Sequence, residues 1–154
     1  MQLSVDGVSR GRPAVVDGYL TLPATQRLAT TSILLAFELR TKAIRPHPLV
    51  SANTNKLAFH RGPLLLAIET ADHPNDDLRA LRVRDPKKCE HPSQVGVTEE
   101  GLLKVTLAGS RVVVQGGEQR TERCNLHLIP YHDWGNRGFG DLMVWIPKED
   151  TDSV

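Results

Sequence analysis

Six histidines and two cysteines are the side chains in this sequence that could bind a transition metal. Two short pairings occur, Cys89 with His91 and Cys124 with His127. A structural zinc site usually combines two close ligand pairs, and residues three apart on a β-strand point to opposite faces. The pattern therefore predicts no metal site and no cofactor. Whether Cys89 and Cys124 form a disulfide is not fixed by their positions.

Eighteen acidic residues could in principle supply a pair of carboxylates for acid–base catalysis. None stands in a recognisable motif: Glu69 ends an apolar run, whereas Asp133 and Asp141 flank a glycine-rich loop. Each is explained more simply as a strand-end or turn residue. Nucleophile elbows, phosphate-binding glycine loops and dinucleotide fingerprints are absent from the sequence. We therefore predict no catalytic residue.

The most site-like segment is the glycine-rich loop 130–138. Tyr131, Trp134, Asn136 and Arg137 are residue types that contact sugars or anchor protein interfaces. One interpretation is structural, with Trp134 folded back over the end of the domain while Asn136 and Arg137 bind backbone carbonyls. The alternatives are an interface with another domain and a direct contact with sugar.

Arg61 precedes Gly62-Pro63, a pair that interrupts a strand. We expect a bend or bulge there, with Arg61 capping carbonyls or, alternatively, contacting a ligand or a neighbouring domain. The run 64–68 that follows is apolar at every position, which predicts a strand covered on both faces.

Short apolar runs separated by turn residues predict an all-β fold, an antiparallel β-sandwich of the jelly-roll kind. A short helical turn is expected within 75–81, and Gly109-Ser110 and Gly116-Gly117 are expected to be turns. Trp145 is expected in the core of the last strand. The predicted strands are residues 2–5, 19–22, 32–39, 56–59, 64–69, 81–83, 102–107, 111–115, 124–129 and 141–146.

A proline-rich seam divides the chain within residues 42–55, because each proline favours extended backbone in the residue before it. About three strands precede the seam, fewer than the roughly seven of a self-sufficient sandwich. We therefore expect residues 1–48 to be the end strands of a second, incomplete sandwich, residues 49–148 to be one sandwich, and residues 149–154 to be a disordered tail.

The net charge of +1, from 19 basic and 18 acidic residues, gives no basic field for nucleic acid or for an acidic membrane surface. The longest apolar runs are far shorter than the ~20 residues that span a bilayer. The first residues lack the pattern of a signal peptide, which predicts a cytoplasmic protein.

Two phrases resemble the C-terminal β-sandwich region of the β-L-arabinofuranosidases of glycoside hydrolase family 127. They are Ala58-Phe-His-Arg-Gly-Pro-Leu64 and Leu128-Ile-Pro-Tyr-His-Asp-Trp-Gly-Asn-Arg-Gly138, followed by Met143-Val-Trp145. The resemblance implies that, in that family, the catalytic residues and a zinc–cysteine centre lie in a helical (α/α) barrel. No position in this sequence matches the motifs of that centre.

The resemblance implies a non-catalytic accessory module whose partner is the helical barrel, either in the same chain or in a separate one. The alternative is a free-standing carbohydrate-binding module that uses Tyr131 and Trp134 on an arabinose-containing glycan. An independent small hydrolase is disfavoured, since no nucleophile or acid pair presents itself. Burial of Trp134 would exclude stacking on a glycan.

Overall fold

The computed structural model describes residues 1–22, 32–84, 94–98 and 101–149 and divides the chain into two compact units, Met1–Leu39 and Arg40–Val154. The N-terminal unit contains one antiparallel three-stranded sheet with β1 in the centre. Asp6 and Gly7 join β1 to β2 with positive φ angles of 51° and 77°, the backbone of a tight hairpin turn. The strands are β1 (Gln2–Val5), β2 (Val8–Gly11) and β3 (Ile33–Ala36).

The C-terminal unit is built on one nine-stranded sheet whose ladders are antiparallel. Its main path is β12-β5-β6-β10-β9-β7, with β4, β11 and β8 added to β5, β6 and β9. The strands are β4 (Thr41–Ile44), β5 (Lys56–Arg61), β6 (Leu64–Glu69), β7 (Leu81–Val83), β8 (Gln94–Val97), β9 (Leu103–Gln115), β10 (Glu118–Pro130), β11 (Leu142–Met143) and β12 (Ile146–Pro147).

The sheet curls until the two ends of this path meet. Lys148, directly after β12, forms a parallel bridge with Val83 of β7. The backbone N–H of Glu149 also donates to the carbonyl of Val83 at 2.9 Å. The predicted all-β, antiparallel sandwich is therefore confirmed, with the edges of the curled sheet joined to each other.

The core lies inside this curl and follows the alternation of side chains along the strands. On the β9–β10 hairpin, Val105 pairs with Leu128 and Leu107 with Leu126, and all four side chains are buried. On the opposite face of the same hairpin, Thr106 pairs with His127 and Ser110 with Arg123. The remaining buried members of the core are Leu57, Phe59, Leu66, Ile68, Leu78, Leu81, Val83 and Ile146.

The prediction of a turn at Gly109-Ser110 is wrong, because β9 runs without a break through both residues. A Cβ atom on Gly109 would collide with the side chain of Leu126 and lie 2.9 Å from the carbonyl oxygen of Arg82. The glycine therefore permits close packing inside the sheet. The chain reverses instead at Gly116-Gly117, with φ angles of 64° and 83°, as the sequence also predicted.

The predicted bend at Gly62-Pro63 is a complete chain reversal, because Arg61 pairs with Leu64 across the β5–β6 hairpin. In β6, residues 66–69 are buried as expected, whereas Leu65 is partly exposed. The helical turn expected within 75–81 is a 3-10 helix at Leu78–Ala80, and the side chain of Asp77 accepts a hydrogen bond from the N–H of Arg79 at its start.

The predicted core position of Trp145 is wrong. Residues 141–146 do not form one strand, because a bend at residues 144–145 separates β11 from β12. This bend interrupts the alternation, so Ile146 is fully buried and Trp145 only half-buried. Sequence reasoning also missed β2, β4 and β8, and residues 19–22 contain only an isolated bridge from Tyr19 to Val16.

The two units divide after Leu39, whereas the sequence prediction placed the boundary after Pro48. The intervening β4 pairs with β5 and is therefore part of the C-terminal unit. Glu149, the first residue of the predicted tail, forms an ion pair with Arg84 at 3.4 Å. Cys89, His91 and residues 150–154 lie outside the described residues. Within the described ranges, no helix is long and apolar enough to cross a membrane.

Candidate functional site

The loop that the sequence singled out follows β10 directly, and we call residues 131–140 the aromatic loop. It begins with a 3-10 helix, Tyr131–Asp133, in which the N–H of Trp134 donates to the carbonyl of Tyr131 at 3.3 Å. Gly135 and Gly138 have φ angles of 82° and 126°, a region that favours glycine. The glycines therefore allow the chain to turn tightly between β10 and β11.

The large side chains of the aromatic loop point partly into solvent. Tyr131 is 47% exposed and Trp134 is 45% exposed, and Phe139 is fully exposed. Trp134 therefore is not buried over the end of the domain. Its exposed surface is accessible to a partner domain or to a sugar ring, so the structure leaves both alternatives open.

Arg137 anchors this exposed loop to the interior. Its guanidinium donates to the carboxylates of Glu69, at the end of β6, and Asp72, in the 3-10 helix Thr70–Asp72. The Arg137 side chain is only 14% exposed, and each carboxylate is 5% exposed. The Nζ of Lys104 lies 3.1 Å from Asp72 as a second basic partner. We call these four residues the ion-pair network.

The charges of the ion-pair network stabilise one another. Burial alone would raise the pKa of Asp72, but the hydrogen bonds and charges of Arg137 and Lys104 outweigh it and hold that pKa below its ordinary value. The hydrogen bond to Asp72 in turn raises the pKa of Arg137. Asp72 and Arg137 are therefore both ionised at neutral pH, and their pairing holds the loop in place.

Two stacked histidines, His73 and His127, lie next to this network with ring centroids 5.7 Å apart. The backbone N–H of His127 donates to Nε2 of His73 at 3.2 Å. A ring nitrogen that accepts is unprotonated, so neutral His73 carries its proton on Nδ1, which faces the carboxylate of Asp76 at 3.9 Å. Nδ1 of His127 lies 3.2 Å from the hydroxyl of buried Thr106.

Burial lowers the pKa of both histidines below the ordinary value of 6.5. Lys104 and the neighbouring imidazole lower that of His127 further. For His73, the backbone carbonyl of His127, 3.4 Å from Nε2, can accept from the protonated ring, and with the carboxylates of Asp76 and Asp72 it opposes the effect of burial on the pKa without cancelling it. Both rings are therefore neutral at pH 7.

We expect the melting temperature to fall as the pH is lowered below about 6.5, because the two histidines bind protons in the unfolded chain at a higher pH than in the folded one. This loss of stability should be complete once the pH lies below the lowered pKa values of the folded state. Thermal melts between pH 8 and pH 5 measure it. The double variant His73→Gln/His127→Asn should flatten this dependence, whereas His132→Gln, at an exposed histidine, should retain it. An equally steep dependence in the double variant would contradict the assignment.

The other predicted contact residues occupy different places. Arg61 donates from Nη1 to the hydroxyl of Thr41, a side chain of β4, at 3.3 Å, and among the described residues its guanidinium caps no carbonyl. No hydrogen bond or ion pair among the described residues joins it to the aromatic loop. Asn136 is exposed, and its backbone N–H donates to the carbonyl of Asp133 at 3.4 Å.

Sequence reasoning missed the carboxylate partners of Arg137 and expected it to bind backbone carbonyls. One signal was available: Glu69 closes a fully apolar run, and a buried carboxylate needs a basic partner. Within the described ranges, no group of three or more histidine, cysteine or acidic side chains is placed to hold a metal ion. Cys124 packs against the core, and burial raises the pKa of its thiol.

A family profile described as the glycoside hydrolase family 127 C-terminal domain matches residues 41–147. The chain belongs to this family. The resemblance drawn from the sequence is thereby confirmed, and the match includes both the aromatic loop and the ion-pair network.

Named relatives are similar to this chain over most of its length. A non-reducing end β-L-arabinofuranosidase of Bifidobacterium longum subsp. longum is 28% identical over 150 residues, covering 88% of this chain and 22% of the relative. A solved β-arabinofuranosidase of family 127 superposes with a TM-score of 0.68 at 25% identity, covering 96% of this chain and 23% of its own.

A family 127 β-L-arabinofuranosidase from Geobacillus stearothermophilus T6 shares the fold, with a TM-score of 0.64 at 23% identity, 96% coverage of this chain and 24% of its own. The chain thus spans about a quarter of the length of these family 127 proteins.

Proposed function

We propose that this family 127 C-terminal domain is a non-catalytic accessory module of a glycoside hydrolase of the β-L-arabinofuranosidase type. It supports a separate helical barrel that hydrolyses glycosidic bonds in carbohydrate metabolism. The observation that carries the proposal is the state of its two clustered carboxylates, Glu69 and Asp72, which are buried and bound to Arg137.

Glycoside hydrolysis usually requires two carboxylates that reach the sugar, one of them with a raised pKa that serves as the acid. Here both carboxylates are 95% shielded from solvent, and the pKa of Asp72 is lowered. Such a pair stabilises a loop and does not protonate a leaving group. The acidic cluster therefore has a structural role in this proposal.

Exposed apolar side chains support the second half of the proposal, the packing against a partner domain. In the aromatic loop, Tyr131, Trp134 and Phe139 are exposed although the loop itself is anchored by a buried arginine. Among the described residues of the N-terminal unit, the buried apolar ones are Leu3 and Val5. The exposed ones there are Val8, Val15, Val16, Tyr19, Ile33, Leu34, Phe37 and Leu39. Surfaces of this kind are typical of interfaces.

The exposure of Tyr131 and Trp134 favours a second candidate, a free-standing carbohydrate-binding module. Tyrosine and tryptophan combine an apolar ring face with a polar edge and suit sugar rings. Titration with an arabinose-containing oligosaccharide separates the two. The module hypothesis requires saturable binding that Trp134→Ala abolishes, whereas the accessory role requires none.

We expect the purified chain to release no arabinose from a β-L-arabinofuranoside. A full-length family 127 arabinofuranosidase assayed in parallel is the positive control for the substrate. Glu69→Gln and Asp72→Asn should leave the zero rate unchanged. A measurable rate that either substitution abolishes would refute the non-catalytic assignment.

A further inference from the structure

A cavity with a basic lining lies in the C-terminal unit, beside the segment that follows β4. It has a volume of about 350 Å³, and its lining includes Arg45, His47, Lys56 and Lys148 but no acidic residue. The whole chain has nearly balanced charge, with 19 basic and 18 acidic residues. The one-sided lining therefore concentrates positive potential at this cavity.

Local backbone structure builds the basic cavity. The N–H of Val50 donates to the carbonyl of His47 at 2.9 Å, and the N–H of Lys148 donates to the carbonyl of Asn55 at 2.9 Å. The ammonium of Lys56 donates to the carbonyl of Ala52 at 2.8 Å. These bonds tie the proline-rich segment to the end of β12.

Within the described ranges, the basic side chains of this cavity are not neutralised by acidic partners, and Lys56 is bonded only to a carbonyl. Among the described residues, no ion pair is formed by Arg45 or Lys148. By contrast, Arg137 and Arg111 elsewhere in the unit are each bound to two carboxylates. The basic cavity therefore presents cations that the fold does not neutralise.

A second cavity of about 420 Å³ shares Lys56 with the first. Most of its lining is apolar and includes Met143 and half-buried Trp145, with Arg79 as a further basic residue. Both volumes lie in the range of small-ligand sites, roughly 300–1,000 Å³. A largely apolar lining that includes a tryptophan, next to a cationic cavity, suits a ligand that is apolar on one side and anionic at one end.

We propose that the two cavities form one binding site for an acidic carbohydrate. The carboxylate of a uronic acid unit binds at Arg45 and Lys148, and the adjoining sugar ring packs against Trp145. Charge selects the anion, and the largely apolar second cavity selects a sugar-bound carboxylate over free phosphate. This inference uses none of the residues that carry the accessory-domain proposal, so either can fail alone.

Calorimetric titration of the 154-residue chain with digalacturonate tests the site. We expect a millimolar dissociation constant that weakens with added salt. The dimethyl ester, which has the same rings without charge, and inorganic phosphate should each bind at least about tenfold more weakly. No binding of digalacturonate would overturn the proposal, and so would phosphate binding of equal strength.

Variants localise the binding. Arg45→Gln/Lys148→Gln should weaken digalacturonate binding at least about tenfold, because it removes the two cations proposed to bind the carboxylate. The matched control, Lys42→Gln/Arg120→Gln, removes the same charge at two exposed residues outside both linings and should leave binding unchanged. Equal affinities in the two double variants would overturn the site, provided that thermal melts show both to be folded.

Discussion

Replacing Arg137 with methionine is expected to destabilise the C-terminal unit by about 3–5 kcal/mol, the usual cost of leaving a buried charge without its partner. The substitution leaves the carboxylate of Glu69 with no basic partner among the described residues and that of Asp72 with Lys104 alone. Both carboxylates are 5% exposed, so water cannot replace the guanidinium. Chemical denaturation of wild type and variant measures the difference.

Two further variants test this explanation. Lys104→Met should cost only about 1 kcal/mol, because that side chain is 29% exposed and leaves Asp72 bound to Arg137. The triple variant Arg137→Met/Glu69→Gln/Asp72→Asn should recover part of the lost stability, because it removes the uncompensated charges. A loss in Arg137→Met no larger than that in Lys104→Met would contradict the anchoring role.

The second large effect is expected at Ile146, where alanine should cost about 2–5 kcal/mol. Ile146 is fully buried in the core cluster and pairs with Leu57 across β12 and β5. Trp145→Ala, at the half-buried neighbour, should cost only about 1–2 kcal/mol, since less apolar area leaves water on folding. Denaturation midpoints of the two variants show which substitution costs more stability. A larger loss for Trp145→Ala than for Ile146→Ala would indicate that Trp145 is a core residue after all.

The strands that the sequence predicted well are those with an uninterrupted apolar pattern. Lys56–Arg61, Leu64–Glu69 and Leu81–Val83 begin or end within two residues of their predicted bounds. The pattern misled where a backbone feature overrides alternation. Because of the bend at residues 144–145, Ile146 is buried in the core where the alternation predicted Trp145. Gly109 is required by close packing against Leu126 and not by a turn.

The aromatic loop was predictable from its composition, because glycines and aromatic residues concentrate there. Its anchor was not, since Arg137 reaches carboxylates 65 and 68 residues earlier in the chain. Pairing over that distance depends on which strands become neighbours. Here β11 pairs with β6, with Leu142 opposite Glu69, and this places the end of the loop that precedes β11 beside the residues that end β6.

The most direct test of the proposed accessory role is association with a helical barrel. A family 127 β-L-arabinofuranosidase is produced without the C-terminal region that this chain matches, and the chain is added in sedimentation and melting experiments. We expect a complex with a raised melting temperature for the barrel, weakened at least about tenfold by Tyr131→Ala/Trp134→Ala, which removes the exposed aromatic anchors. Failure to associate, or unchanged association of a folded double variant, would contradict it.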